Sequence, residues 1–265
     1  MFLAKQEEYP KILQKNKNNW ERKDLMIEIK GISKSYVKNK KSVDNLNLEI
    51  KDGEIFGFLG PNGAGKTTTI KMLTGILNID EGDVFIDGNS ITKNPIEAKK
   101  SFGFIPDSPD MFLRLKGIEY LNFIGDIYGV DSKIRKEKIE KLSKEFGIFE
   151  NLNARIQSYS HGMRQKILII GVLMIEPKNW ILDEPLTGLD PKSAFDLKEK
   201  MKEHSRKGNT VFFSTHVLEV AEKLCDRIGI INKGKLIFVG TYDEMKKQFS
   251  ENNSLEEIFL ELTDK

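Results

Sequence analysis

The sequence predicts an α/β protein: a largely parallel sheet with an antiparallel β edge and an inserted α-helical segment. Residues 53–59, Gly-Glu-Ile-Phe-Gly-Phe-Leu, form an almost continuous apolar run, followed by a glycine-rich turn and a helical pattern through Leu77. Such runs are typical of strands that are covered on both faces in βαβ units. Apolar strand patterns return at 180–182, 210–214 and 228–231. Residues 107–156 between them show helical patterns and no clear strand, which predicts the insert.

The antiparallel edge is predicted from the first patterned residues. Residues 26–29 alternate apolar and polar side chains, as an edge strand does, and residues 43–50 do the same. Residues 1–25 are polar, rich in Lys and Asn, and lack the apolar core of a signal peptide, so we expect a loosely ordered extension. Translation beginning at Met26 is an alternative.

The tail, residues 241–265, is predicted to end in a helix. Ser254 and Glu257 fit a capping box, and an apolar face follows with helical spacing. That face is formed by Leu255, Ile258, Phe259 and Leu262. We expect the helix to dock on its own domain, with docking on a partner as the alternative.

Composition excludes several classes of protein. The 42 basic and 40 acidic residues nearly cancel, so no basic field favours nucleic acid or lipid, and no nucleic-acid partner is expected. The longest apolar run, residues 167–175, is far shorter than the roughly 20 residues of a membrane-spanning helix, so other chains would have to supply any spanning part. The single cysteine, Cys225, permits neither an internal disulfide nor a cysteine-based zinc site, and we expect a buried, inert thiol in a reducing cytoplasm.

A glycine-rich loop follows the first buried strand. Residues 60–67, Gly-Pro-Asn-Gly-Ala-Gly-Lys-Thr, fit the pattern G-x-x-x-x-G-K-[ST]. Glycines let backbone N–H groups turn toward phosphate oxygens, and the following helix adds its positive N-terminal end. We expect Lys66 to reach the β- and γ-phosphates, Thr67 to offer its hydroxyl to Mg²⁺ and Thr68 to bond a phosphate oxygen. The predicted nucleotide-binding set in this loop is Asn62, Gly63, Gly65, Lys66, Thr67 and Thr68.

Two carboxylates end the apolar strand at 180–182. Ligands bind at the carboxyl ends of strands in such sheets, so Asp183 is predicted to hold Mg²⁺, directly or through water. Glu184, one residue later, is predicted to orient and polarise the attacking water. Asn179 interrupts the apolar run and is expected to weaken the strand slightly.

Residues 159–166, Tyr-Ser-His-Gly-Met-Arg-Gln-Lys, resemble the signature motif of the ATP-binding cassette family, in the S-x-G-M-x-Q form of exporter-type members. Further matches follow in the family's order. Residues 187–190, Thr-Gly-Leu-Asp, resemble the D-loop, and His216, after the apolar strand at 211–214, resembles the switch histidine. The resemblance extends over about residues 26–240.

The resemblance implies a site shared by two cassettes that meet head to tail and trap two ATP molecules. Ser160 and the N–H of Gly162 would contact the γ-phosphate held by the partner's phosphate loop, and free N–H groups at a helix start suit an anion. Asp190 of the D-loop is counted with the nucleotide-binding residues. His216 would bond the γ-phosphate and the water held by Glu184, which makes these two residues the catalytic pair.

Four positions need separate interpretation. Tyr36 lies where the family places an aromatic residue that stacks on adenine, but a tyrosine in Ser-Tyr-Val also fits ordinary strand packing. Asp107 takes a position that is often Gln. It either ligates Mg²⁺ or only shapes the turn at 106–109. His161 stands where many members have Gly, although its backbone N–H remains. His161 and His204 are expected to be solvated.

The resemblance implies a P-loop ATPase core at 26–240 that binds ATP and Mg²⁺ and hydrolyses ATP. Expected partners are a second cassette, identical or a paralogue, and a transmembrane permease through which export is driven from the inner face of the cell membrane. Residues 111–113 and 123–128 of the insert are either the permease-facing surface or the insert's own core.

Two rival functions are considered. Translation-type soluble cassettes carry two cassettes in one chain, and chromosome-type members carry long coiled coils. This sequence has neither. A non-hydrolysing regulatory or immunity subunit would not need the full set of Lys66, Asp183, Glu184 and His216.

Overall fold

The structure, a computed structural model, describes residues 25–38, 40–249 and 254–263. Its strands are β1 (Leu25–Val37), β2 (Lys40–Lys51), β3 (Ile55–Leu59), β4 (Glu81–Ile86), β5 (Asn89–Ser90), β6 (Phe102–Ile105), β7 (Asn179–Leu182), β8 (Thr210–Thr215), β9 (Arg227–Asn232) and β10 (Lys235–Gly240). Its helices are α1 (Lys66–Leu73), α2 (Pro95–Lys100), α3 (Gly117–Ile127), α4 (Ser132–Glu145), α5 (His161–Ile175), α6 (Pro191–Arg206), α7 (Leu218–Leu224), α8 (Tyr242–Phe249) and α9 (Leu255–Thr263). The α/β class is confirmed. Of the N-terminal extension expected over residues 1–25, all but Leu25, the first residue of β1, lies outside the described residues.

The larger sheet has six strands in the order β10-β9-β3-β8-β7-β6. From β9 to β6 every neighbouring pair is parallel, and all five residues of β3 are buried. The strand β10 pairs antiparallel with β9 through a turn at Lys233 and Gly234, both with positive φ. β10 was not predicted from the sequence, although a glycine between two apolar runs favours a hairpin turn.

The smaller sheet is antiparallel, in the order β2-β1-β4-β5. The prediction that residues 26–29 form an edge strand is wrong, because β1 lies between β2 and β4. Ile27 and Ile29 are buried, whereas Glu28 is partly exposed and Lys30 exposed. The alternation therefore reports a sheet with one solvated face, not a strand without a neighbour.

The helix after the phosphate loop is shorter than its apolar pattern predicts. It ends at Leu73 instead of Leu77 because the chain turns at Gly75. The N–H groups of Ile76 and Leu77 both return to the carbonyl oxygen of Lys71, at 2.9 Å, which closes the helix.

The insert contains α3, α4 and two short 3₁₀ turns, and it packs on α5. The Asp131 carboxylate accepts the N–H groups of Lys133 and Ile134, so α4 begins with a side-chain cap. The inner residues join one apolar cluster with α5 and the larger sheet: Tyr120, Leu121, Ile139, Leu142 and Phe146.

The expectation that His204 is solvated is wrong. Its ring stacks on Trp180 at a centroid distance of 4.1 Å, and its Nε2 lies 3.0 Å from the carbonyl oxygen of Lys178. Burial lowers the pKa of His204 to about 4. Asn179 is also buried and belongs to β7, where its amide donates to the carbonyl oxygen of Ser101 at 3.0 Å. The polar residue thus begins the strand, and its side chain is hydrogen-bonded to the residue that precedes β6.

The C-terminal helix docks on its own domain, as expected. Ser254 and Glu257 form the predicted capping box, and Leu255 and Ile258 are buried. Burial raises the pKa of the Cys225 thiol, which fits the inert cysteine predicted. Within the described parts of the chain, no helix is both long and apolar enough to cross a bilayer.

Candidate active site

The glycine-rich loop joins β3 to α1 at one end of the larger sheet. Gly65 has a φ of +114°, and a Cβ there would lie 2.8 Å from the carbonyl oxygen of Ser42, so only glycine fits between the loop and β2. The loop borders a cleft of about 310 Å³. The cleft is lined by Ser42, Pro61, Asn62, Gly63, Gly65, Lys66, Thr67, Thr68, Asp107, Glu184, Thr187 and His216.

Lys66 is the cation of the cleft and is only 7% exposed. Its Nζ donates to the carbonyl oxygen of Gly60 at 2.6 Å and lies 3.9 Å from Glu184 Oε1. Burial lowers the pKa of this lysine, and the nearby carboxylates of Glu184, Asp183 and Asp107 oppose that shift. A partly desolvated ammonium in this setting is well placed to bind phosphate oxygens, because a bound anion replaces its lost hydration.

Asp183 directly follows β7 and is nearly fully buried. It accepts a hydrogen bond of 2.6 Å from the Ser214 hydroxyl of β8. Burial raises its pKa, while hydrogen bonds from Ser214 and Thr67 lower it. Asp183 and Thr67, both predicted as Mg²⁺ ligands, are therefore neighbours.

Glu184 has a φ of +49°, a left-handed backbone that is costly for a residue with a side chain. Its N–H donates to Ser214 Oγ at 3.0 Å, which helps to hold this turn. Its Oε2 lies 3.0 Å from Nδ1 of His216, while Oε1 faces Lys66. The carboxylate is thus fixed between an imidazole and an ammonium at the wall of the cleft.

Asp107 and Tyr36 lie at the rim. Asp107 follows β6, is exposed, and its negative charge acts on both Lys66 and Asp183. Tyr36 is 59% exposed at the end of β1, and its hydroxyl lies 3.4 Å from Thr68 Oγ1. An exposed ring beside the phosphate loop disagrees with ordinary strand packing, the alternative interpretation of this tyrosine.

Ser160 and Gly162 lie on a second surface at the start of α5, the signature surface, and neither belongs to the lining of the cleft. The Ser160 hydroxyl caps the helix by accepting the N–H of Met163 at 3.3 Å, and its side chain is exposed. A Cβ on Gly162 would lie 2.6 Å from the carbonyl oxygen of Gly188, so the helix start is packed on the loop at 187–190. His161 is exposed, as expected.

Asp190 also lies outside the cleft lining. It caps α6 by accepting the N–H of Ser193 at 3.0 Å, and its Oδ2 lies 2.5 Å from Nζ of Lys166. The Lys166 ammonium and the Ser193 donors hold the pKa of Asp190 well below its usual range. Within one chain, the signature surface therefore includes the loop at 187–190.

The residues of the cleft fit Mg-ATP. Thr67 and Asp183 offer the hard oxygen donors that Mg²⁺ prefers, and Lys66 and the start of α1 suit phosphate oxygens. Across the described residues, no three or more His, Cys, Asp or Glu side chains form a cluster that could hold a metal ion. Mg²⁺ is ordinarily held by one or two carboxylates together with substrate phosphates and water, and where bound it neutralises charge on those phosphates.

Sequence reasoning missed Ser214, which donates to Asp183 and accepts from the Glu184 N–H. The residue is fully buried in an apolar strand, and a polar residue two positions before His216 was the available signal. It also missed the contact of Lys166 with Asp190, because no local spacing connects α5 with the loop before α6.

Comparison with known proteins gives consistent matches. The sequence profile of the family described as "ABC transporter" matches residues 43–187. The uncharacterized ABC transporter ATP-binding protein YhcH of Bacillus subtilis is 40% identical over 80% of this chain and 68% of its own length. The linearmycin resistance ATP-binding protein LnrL of the same organism is 37% identical over 83% of this chain and 70% of its own. A solved structure of an ATP-binding subunit of an ABC transporter superposes with a TM-score of 0.84 at 32% identity, covering 89% and 99% of the two chains.

Proposed function

Since the chain belongs to the ABC transporter family as an ATP-binding and ATP-hydrolysing subunit, we propose that Mg-ATP binding and hydrolysis here drive export through a separate transmembrane permease. Similarity to a relative named for linearmycin resistance supports export rather than uptake. The proposed partner also determines the location: the chain would act on the inner face of the cell membrane, bound to its permease.

The observation that carries the proposed chemistry is the position of Glu184 between Lys66 and His216. Lys66 binds the phosphates and neutralises their charge. Glu184 then accepts a hydrogen bond from a water and takes its proton as the water oxygen attacks the γ-phosphorus and the bond to ADP breaks. His216 holds the Glu184 carboxylate and contacts the γ-phosphate. Asp183 and Thr67 hold Mg²⁺.

The signature surface supplies the second half of the site in this proposal. Ser160 and the N–H of Gly162 bind the γ-phosphate of a facing cassette, because they lie at a helix start where backbone N–H groups lack helical partners. The facing cassette is a second copy of this chain or a paralogue. ATP binds the closed pair more tightly than the open pair, and that difference in binding free energy performs mechanical work.

The permease is proposed to dock on the insert. Phe123 and Ile127, one helical turn apart on α3, are 44% and 60% exposed, and the ring of Phe112 lies 5.8 Å from that of Phe123. Leu113 and Ile124 instead pack on the insert's core. In this proposal the apolar residues of the insert divide between the two roles that the sequence left open, and the exposed group suits an apolar segment of another chain.

Glu184→Gln tests the chemistry. The amide keeps the shape of the carboxylate but removes its basicity, so we expect phosphate release to fall about 10²- to 10⁴-fold while ATP binding persists. Phosphate release by the purified wild-type protein is the reference, and a matched control is Glu219→Gln, an exposed carboxylate on α7. Near-normal turnover of Glu184→Gln would remove Glu184 as the base.

Photo-cross-linking in cells tests the docking face. A photoreactive phenylalanine analogue at position 123 should capture a membrane-spanning chain, which mass spectrometry then identifies. The same analogue at position 247, an exposed site on α8, is the control and should capture none. Equal capture from both positions, or from neither, would contradict docking on the insert.

A further inference from the structure

The C-terminal helix α9 is part of the packing behind the cleft. Its buried residues Leu255 and Ile258 join an apolar cluster with Leu59, the last residue of β3 before the phosphate loop, and with Ala221 of α7. Ile230 of β9 belongs to the same cluster and pairs with Leu59 in the sheet. One face of α9 therefore packs in the same cluster as β3, which leads into the phosphate loop, and α7, which follows His216.

Asn232 connects the end of α9 to β9. Its side-chain Nδ2 donates to the carbonyl oxygens of Thr263, at 3.2 Å, and Leu262, at 3.5 Å. The last carbonyl groups of a helix have no intrahelical donor, so a side-chain amide is an effective cap there. Asn232 is the final residue of β9, and the two-residue turn of the hairpin follows it directly.

That turn is hydrogen-bonded to the phosphate loop. The N–H of Gly234 donates to the carbonyl oxygen of Ala64 at 2.8 Å, and its own carbonyl oxygen accepts the N–H of Asp44 at 2.9 Å. On the other side of Asn232, a Cβ on Gly60 would lie 2.4 Å from the carbonyl oxygen of Ile231. The end of β9 thus touches both ends of the loop that would hold the phosphates.

His216 also lines the cleft, on a segment outside the phosphate loop. This residue is followed by α7, a helix of only seven residues without a side-chain cap at its start. The buried residue Ala221 of α7 packs in the cluster that contains Ile258 of α9, and Leu218 packs against the same cluster. A helix this short is not stable alone, so its position depends on its packing.

From these contacts we infer that α9 is a positioning element of the ATP cleft, with Asn232 as the residue that ties it to the phosphate loop. The inference rests on the proposed function of the cleft in ATP hydrolysis. Loss of the Asn232 donor loosens α9, and with it both the turn behind Ala64 and the helix behind His216. Phosphate and water are then held less well with respect to Glu184.

A substitution series at Asn232 distinguishes donation from packing. Asp has nearly the size of Asn but places a carboxylate opposite two carbonyl oxygens, whereas Ala removes the whole amide group. We expect kcat for ATP to fall about three- to tenfold in Asn232→Ala, as for one lost hydrogen bond, and further in Asn232→Asp. Leu260→Ala, on the exposed face of α9, is the control and should keep wild-type kcat.

Hydrogen exchange of the full-length variants gives a readout that does not need turnover. We expect faster exchange in residues 60–66 and 216–224 of Asn232→Ala, with β4 and β5 of the smaller sheet unchanged. Uniformly faster exchange, or a wild-type kcat in Asn232→Asp, would overturn the inference, and α9 would then have no part in positioning the cleft. Absence of turnover in the wild-type protein would instead contradict the proposed function, and the exchange pattern would still decide the linkage.

Discussion

The phosphate-loop cleft and the signature surface differ in how far one chain completes them. In the cleft, Glu184 pairs with Lys66 and His216, and Ser214 is hydrogen-bonded to both Asp183 and the Glu184 N–H. Lys66 and Asp183 are nearly buried. On the signature surface, Ser160 is exposed and its hydroxyl only caps its own helix. The cleft is a connected set of charged and polar side chains, whereas the signature surface is a helix start that presents donors outward.

This difference between the two regions predicts that they affect different quantities, the ATP affinity of one chain and the ATP turnover of a pair of cassettes. Groups that contact the nucleotide within one chain should determine how tightly a single chain binds ATP. Groups on the signature surface should matter only once two cassettes face each other, because an exposed N-terminal turn contributes to anion binding only where an anion is brought to it. Substitutions in the two regions are therefore expected to give different phenotypes.

Lys66→Ala should have the largest effect on nucleotide binding. It removes a charged contact to phosphate, so we expect ATP affinity to fall by more than about 2 kcal/mol, roughly 30-fold. Lys71→Ala is the control, an exposed lysine on the same helix, and should bind as the wild type does. Titration with a fluorescent ATP analogue measures both, and wild-type affinity in Lys66→Ala would end the assignment of this loop.

Ser214→Ala should have an intermediate effect within the cleft. It leaves Asp183 without the hydrogen bond from this hydroxyl and the Glu184 N–H without its acceptor, so we expect turnover to fall about tenfold. Ser214→Thr keeps the hydroxyl and should recover most of that loss. If Ala and Thr variants turn over equally, the hydroxyl does not position the two carboxylates.

Local patterns account for the parts of the fold and site that sequence could predict. The phosphate loop, Asp183-Glu184 and the capping box at Ser254 depend on residues adjacent in the chain, so short-range chemistry suffices. The inner position of β1 could not be predicted, because alternating apolar and polar side chains indicate which face is buried and not how many strands are neighbours. The burial of His204 depends on Trp180, 24 positions away in another element, which no local spacing predicts.

Asp107→Gln should have the smallest effect. Asp107 is exposed at the rim, and an amide oxygen can replace its carboxylate oxygen, so we expect turnover to change less than about threefold. Magnesium titration of ATP turnover in both proteins measures any change in metal affinity. Collapse of turnover with unchanged ATP binding would show that the charge of Asp107 has its own part in the reaction.

The central claim is that each working site combines the cleft of one chain with the signature surface of another. It is tested by mixing Lys66→Ala chains with Ser160→Phe chains, each inactive as a homodimer. In a mixed dimer, one site carries both lesions, and the other joins an intact phosphate loop to an intact signature. A mixture of Lys66→Ala with the Lys66→Ala, Ser160→Phe double variant contains no intact site and is the control.

The measurement is ATP turnover of the first mixture as a function of mixing ratio. With random pairing, about half of the dimers are mixed at equal concentrations and each has one working site, so we expect up to about a quarter of wild-type turnover. The control mixture should stay inactive. No recovery at any ratio, with mixed dimers demonstrated by cross-linking, would contradict a shared site that works alone. Two explanations would then remain: both sites must hydrolyse ATP together, or the natural partner is a different cassette.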